Sequence, residues 1–215
     1  MKKMVLLICA LGCIFSLTSS AQITKGSVLL GGGISGGKNK SENNNQESQY
    51  SSFSFYPAIG LAVKENTVVG LRLSYYHSKS ESDNSPYKQE QNGYSAGFFY
   101  RKYMPFSKKF YLFGEGAAYY GHSDLKYIYP DSESIQETNN VGVNFYPGVA
   151  FAVNKSIHLE VGLNNLVDLS YNKSESKNTS SGNTTTTSKA SGFGFSTNVS
   201  TSAPLTVGFR FVLGK

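Results

Sequence analysis

Phe53-Ser-Phe-Tyr-Pro-Ala-Ile-Gly-Leu-Ala-Val63 places Phe53, Phe55, Ile59, Leu61 and Val63 on one phase. Ser54, Tyr56, Ala58, Gly60 and Ala62 fall on the other. A period of two is the mark of a β-strand with unlike faces. Lys64-Glu65-Asn66 interrupts the run, and Val69, Leu71, Leu73 and Tyr75 resume it, which predicts a hairpin. The unit recurs further along the chain. Phe145-Tyr-Pro-Gly-Val-Ala-Phe-Ala-Val153 copies Phe55 to Val63, with Asn154-Lys-Ser156 in the turn and Leu159, Val161 and Leu163 beyond it. A repeated hairpin in a chain that is otherwise strand-like predicts a closed antiparallel barrel.

Composition narrows the class. Of 215 residues only 16% are charged and 13% are aromatic, with 22 Gly and no Trp. Soluble domains carry about a quarter charged residues. The amino terminus has Lys2 and Lys3, an apolar run from Met4 to Leu17, then Ser19-Ser-Ala21. That order is a secretory signal peptide over residues 1–21, cleaved after Ala21, and the run is short for a membrane anchor. Residues 22–215 then form one barrel domain. Ala10-Leu-Gly-Cys13 is the weaker reading of the same stretch, as a lipoprotein box. Cys9 and Cys13 both lie in the signal, so the mature chain would have no disulfide and no thiolate metal site. Loss of Lys2 and Lys3 takes the formal charge from +6 to +4. The remaining basic residues form no stripe, which excludes a nucleic-acid partner.

Eight strands follow. The first alternates through Val28, Leu30, Gly32 and Ile34, and the hairpin from Phe53 supplies two more. Gly93–Tyr103 and Phe110–Gly121 are the fourth and fifth. The second hairpin, about Asn139 to Tyr171, is the sixth and seventh, and Gly192–Leu213 holds the eighth. Lys38–Gln49, Ser78–Asn92, His122–Thr138 and Asn172–Ser191 are polar and read as long loops. Long and short connections alternate, which gathers the long ones at one rim of an up-and-down barrel. The non-aliphatic faces, such as Ser54 to Ala62 and Gly142 to Ala152, carry no charge. A water-facing surface would carry about 25–35% charged residues, whereas small neutral residues suit a narrow lumen. The aliphatic face therefore meets lipid, in an all-β, eight-stranded antiparallel transmembrane barrel. Tyr50, Tyr75, Tyr76, Tyr94, Tyr119, Tyr120 and Tyr171 collect at the long-loop ends of strands. Tyr103, Phe106, Phe110 and Tyr111 collect at a short-turn end. Both groups are expected to form interfacial girdles. Pro57 and Pro147 are expected to mark bulges or bends.

The chain resembles the OmpA/OmpX-type family of eight-stranded outer-membrane barrels. The resemblance is carried by Phe99-x-Arg101-x-Tyr103, by Leu112-Phe-Gly-Glu115, and by Thr206-Val-Gly-Phe-Arg-Phe-Val-Leu213. It implies location in the outer membrane, contact with outer-membrane lipid, and recognition by the barrel-assembly machinery through Thr206, Gly208, Phe211 and Leu213. Leu213 stands where an aromatic residue is usual.

Charges within strands are few: Arg72, Arg101, Glu115, Glu160 and Arg210, with His158 near a turn and Asp168 near a loop. All phase toward the lumen. Hairpin symmetry sets Arg101 opposite Glu115 and pairs Glu160 with Arg210. An eight-stranded lumen is nearly filled by side chains, so a salt-bridged plug is favoured over an ion-selective constriction. His77-Ser78 and His122-Ser123-Asp124 are the candidates for catalysis. Adjacent strand residues point to opposite faces, so neither doublet makes a nucleophile and base by itself. No cofactor motif or metal spacing occurs. The resulting expectation is a non-enzymatic barrel that presents polar segments outside the cell. The alternatives are a small porin, a carrier of small hydrophobic solutes, or a rim-sited lipid-modifying enzyme.

Overall fold

The computed structural model describes residues 23–43, 46–82, 85–163, 166–180, 185–197 and 205–214. The signal segment with Lys2, Lys3, Cys9, Cys13 and Ala21 lies outside the described residues, as does the side chain of Thr206. The strands are β1 (Val28–Asn43), β2 (Gln46–Lys64), β3 (Thr67–Ser82), β4 (Ser85–Pro105) and β5 (Phe110–Tyr129). They continue as β6 (Ser132–Ala152), β7 (Ile157–Leu163), β8 (Val167–Ser180), β9 (Thr185–Thr197) and β10 (Leu205–Leu213). β7 and β8 both pair with β6, and β9 and β10 pair with β8 and β7. Each of these two pairs of segments is one barrel position in two pieces. β10 then pairs with β1, closing eight antiparallel positions into a barrel.

Facing follows the apolar phase. Leu61 is 48% exposed while its neighbour Ala62 is 1% exposed. Ile59, Leu71, Phe98, Val143 and Val161 are exposed outward, and Ala58, Val68, Phe99, Phe113 and Ala150 are buried inside. Small inner residues are needed because the opposing large ones already fill the bore. A Cβ on Gly148, for example, would run into the Phe113 ring.

Three short turns lie at one rim and are locally fixed. The Asn154 carboxamide accepts from the Ser156 and Ile157 amides, and Ser107 Oγ accepts from those of Lys109 and Phe110. Asn66 takes a positive φ of 55°, as Asn tolerates in a tight turn. Its side chain accepts from the Ile23 amide at 3.0 Å, and Ile23 is buried with the core, so the entering chain is tied to the first short turn.

The opposite rim corrects the sequence reading. The four polar segments are mostly not loops but continuations of the strands: β1–β2, β3–β4, β5–β6 and β8–β9 stay paired far past the apolar zone. Their residues are mostly polar, with no sustained apolar alternation. The ladder is a backbone property, and cross-strand charges reinforce it. Glu81 is directly opposite Lys88, and Glu175 is opposite Lys189, both as ion pairs.

The girdles also differ from expectation. Tyr75, Tyr94, Tyr120 and Tyr171 are exposed outward, whereas Tyr50 follows the inward phase of β2. Tyr119 turns inward, where its hydroxyl donates to Asp168 at 2.9 Å. Tyr76 likewise follows the inward phase of β3, its hydroxyl 3.2 Å from that of Tyr50. Tyr103 and Tyr111 are buried core residues, leaving Phe106, Phe110 and neighbours such as Met104 and Phe151 at the short-turn rim. Parity decides: Tyr103 shares the phase of Arg101, and Tyr111 that of Glu115.

Neither proline shifts the register toward β3 or β5, although among the described residues Tyr56 and Pro57 have no partner on β3. The β2–β3 register is the same on both sides of Pro57, and the β5–β6 register runs unbroken through Pro147. The irregularity beside Pro147 lies in the next barrel position. Gly148 opposes Gly162 whereas Phe145 opposes Val167, a slip of two residues on the β7–β8 side.

Candidate functional site

The five charged lumen residues come from β3, β4, β5, β7 and β10, and the closed wall brings all of them into contact. Arg101, 0% exposed, is the hub. Its Nε donates to Glu115 Oε2 at 2.6 Å and its Nη1 to Glu160 Oε2 at 2.7 Å. Nη1 also donates to the Tyr103 hydroxyl at 2.9 Å, and that hydroxyl donates to Glu160 Oε1 at 2.8 Å. Arg210 Nε donates to the same carboxylate oxygen at 3.0 Å. Arg72 donates through Nη2 to Glu115 Oε1.

Arg101 and Glu115 are direct register partners across β4 and β5. Glu160 and Arg210 are not: Glu160 opposes Gly208 and Arg210 opposes His158, so their bond is diagonal, two residues off. The Arg101–Glu160 bond joins barrel positions that are not neighbours. It links the two expected pairs across the bore into one network, which hairpin symmetry alone did not foresee.

Aromatic rings pack the network from below and beside. The Arg101 guanidinium carbon stands 4.2 Å from the Phe113 centroid, and Tyr146 lies near both Arg72 and Arg101. Such contacts suit a cation removed from water. Tyr103, Tyr111 and Phe113 pack edge to face or tilted, and Tyr111 stacks on His158 at 5.4 Å. These rings were missed as site residues. Their inward parity with Arg101, Glu115 and Ala150 was the available signal.

Chemically the arrangement is a desolvated ionic plug. Three guanidiniums face two carboxylates, so the cluster holds one uncompensated positive charge. Among the described residues, Arg101 Nη2, Arg210 Nη1 and His158 Nδ1 are buried without a hydrogen-bond partner.

The histidine doublets sit far from this plug. His77 Nδ1 lies 2.8 Å from Asn92 Oδ1. His122 lies between Asn139, at 2.9 Å from Nδ1, and Asp124, at 3.1 Å from Nε2. Among the described residues neither ring is paired with a serine hydroxyl. Gly208, Phe211 and Leu213 of the terminal motif are on β10, Phe211 and Leu213 facing outward.

No family model matches the sequence, and no curated protein matches it. Among solved structures, the translocator domain of the autotransporter NalP from Neisseria meningitidis is similar at 11% sequence identity. The alignment covers 98% of this chain and 94% of that one, with a TM-score of 0.31. The fold assignment therefore rests on the strand ladder itself.

Proposed function

We propose that this chain is an integral outer-membrane barrel of the OmpA/OmpX type, non-enzymatic, with a plugged lumen and a displayed crown of polar hairpins. The membrane reading is supported by the continuous outer belt of Leu, Ile, Val and Phe. Water-soluble monomers rarely expose apolar patches larger than a few hundred Å². Export by the segment ending at Ala21, and recognition of the β10 motif by the assembly machinery, belong to the same proposal.

One observation carries the functional part: Arg101, wholly buried, is bonded to carboxylates from two other barrel positions, Glu115 and Glu160. A hydrated ion passing through would have to break that hub. The polar hairpins are then the surface on which this protein acts. In planar bilayers the folded chain is expected to show no steady single-channel conductance, while exchange of individual hairpins changes what whole cells bind. A stable open channel whose selectivity shifts in Arg101→Ala would replace this reading with that of a small porin.

A further inference from the structure

Among the described residues, the β1–β10 ladder runs only from Val28–Leu213 to Gly32–Phe209. β1 continues to Asn43 with β2 as its one partner, and Leu205–Gly208 pair with β7 alone. The parting point is conformational. Gly32 has φ +125°, and a Cβ there would strike the Tyr56 carbonyl oxygen and the Pro57 backbone. Only glycine serves at that position.

Behind the parted seam is a cavity of about 370 Å³, within the range of small-molecule sites. Val207, Gly208 and Phe209 border it at the seam, and Tyr56, Arg72 and Arg210 line its depth. Arg210 is 5% exposed, and among the described residues its Nη1 is buried without a partner. Arg72, with 30% of its side chain exposed, is the most open of the three guanidiniums of the plug. The plug below carries the one uncompensated positive charge described above. A buried charge of that kind is costly unless paired, and a guanidinium pairs best with a planar, two-oxygen anion.

We propose that this cavity binds a single-chain amphiphile with one carboxylate, a medium-chain fatty acid in chemical class. Its head lies at Arg72 and Arg210, and its tail lies along Val207 and Phe209 in the seam. The site goes beyond the role of the hairpins and does not depend on it. The carboxylate completes the charge of the plug, and the parted seam spares the apolar tail a path through the polar crown.

The test uses the full mature chain refolded in a nonionic detergent, with heat-dependent gel migration as the check of folding. Decanoate binding is read by calorimetry and by native mass spectrometry, with decanol as the uncharged control. Wild type is expected to bind one decanoate, with decanol at least tenfold weaker. Arg72→Gln, which removes the excess charge while Glu115 keeps Arg101, should weaken decanoate at least tenfold. Gly208→Leu tests the space alone, since a Cβ there meets nothing nearer than Gly32 O at 3.8 Å. It should abolish binding with every charge in place. Folded wild type that binds no decanoate, equal binding of decanol, or unchanged binding in folded Gly208→Leu would overturn the proposal. A phospholipid phosphate is the other source of such an anion. Bound phospholipid that decanoate does not displace would overturn the carboxylate assignment as well.

Discussion

β2 is built on two different terms along its length. From Ala58 to Ala62 its inner face is buried against β3 and a filled bore, within a wall that closes through β1 and β10. From Gln49 to Ser54 the same strand keeps the same ladder, but its inward neighbours are hydroxyls, such as Tyr76 near Tyr50. The first length is held by packing beside desolvated charge, the second by backbone hydrogen bonds and hydroxyl contacts. One strand can thus be rigid where it seals the lumen and tolerant of change where it is displayed.

The largest effect is expected in the plug. Glu115→Ala leaves Arg72 and Arg101 without their shared carboxylate, and breaking a buried pair costs about 3–5 kcal/mol. Adding Arg101→Ala should recover part of that loss, because Glu160 keeps Arg210 and Tyr103. Urea unfolding followed by gel shift reads both. If the two losses simply add, the network is not a unit and the contrast between the two lengths weakens.

Next in size is the outer wall at the same level. Leu61→Arg should cost about 2–4 kcal/mol in lipid, the range for a cation near the mid-plane of a barrel. Stability equal to wild type would reverse the inside–outside assignment.

The crown should respond far less. Lys126 and Glu133 pair at 2.7 Å across β5 and β6, both more than a third exposed. Exposed pairs are worth about 1 kcal/mol at most, so Lys126→Ala should fall within that. A loss as large as that of Glu115→Ala would erase the distinction between crown and plug.

The smallest effect is a titration. Hydrogen bonding from Lys189 holds the Glu175 carboxyl below its ordinary value, with Lys177 assisting. A lowered carboxylate adds stability above its unfolded pKa and loses it as pH falls through the folded one. NMR titration should place Glu175 below the usual carboxylate range and return it there in Lys189→Ala, with the barrel otherwise unchanged.

The parts legible in the sequence were those governed by parity. Leu61 outward and Ala62 inward, and the lumen phase of Arg101, Glu115 and Glu160, follow from a period of two. Where one face was not apolar the signal vanished. Lys173 to Ser180 keep an unbroken ladder with β6, but no hydrophobic contrast records it, so paired strands read as a loop. Tyr103 was misassigned because its place near a turn was weighed above its phase. The Arg101–Glu160 bond spans non-adjacent barrel positions, which no local pattern encodes. Nothing marked Gly32 within Gly31-Gly-Gly33 as the point where the seam parts.

The five-residue seam also sets a kinetic problem. The other pairings of the wall join successive barrel positions, but Val28 meets Leu213 only after nearly the whole polypeptide is in hand. Contacts of such separation carry the highest loop-closure entropy and slow folding. Before the clasp forms, β1 and β10 each present a bare edge, an invitation to pair with another chain. Closure at the seam is thus expected to limit the rate of refolding. Weakening it, for instance by Phe209→Pro, should slow barrel formation and raise aggregation more than the same change within a local hairpin such as β3–β4.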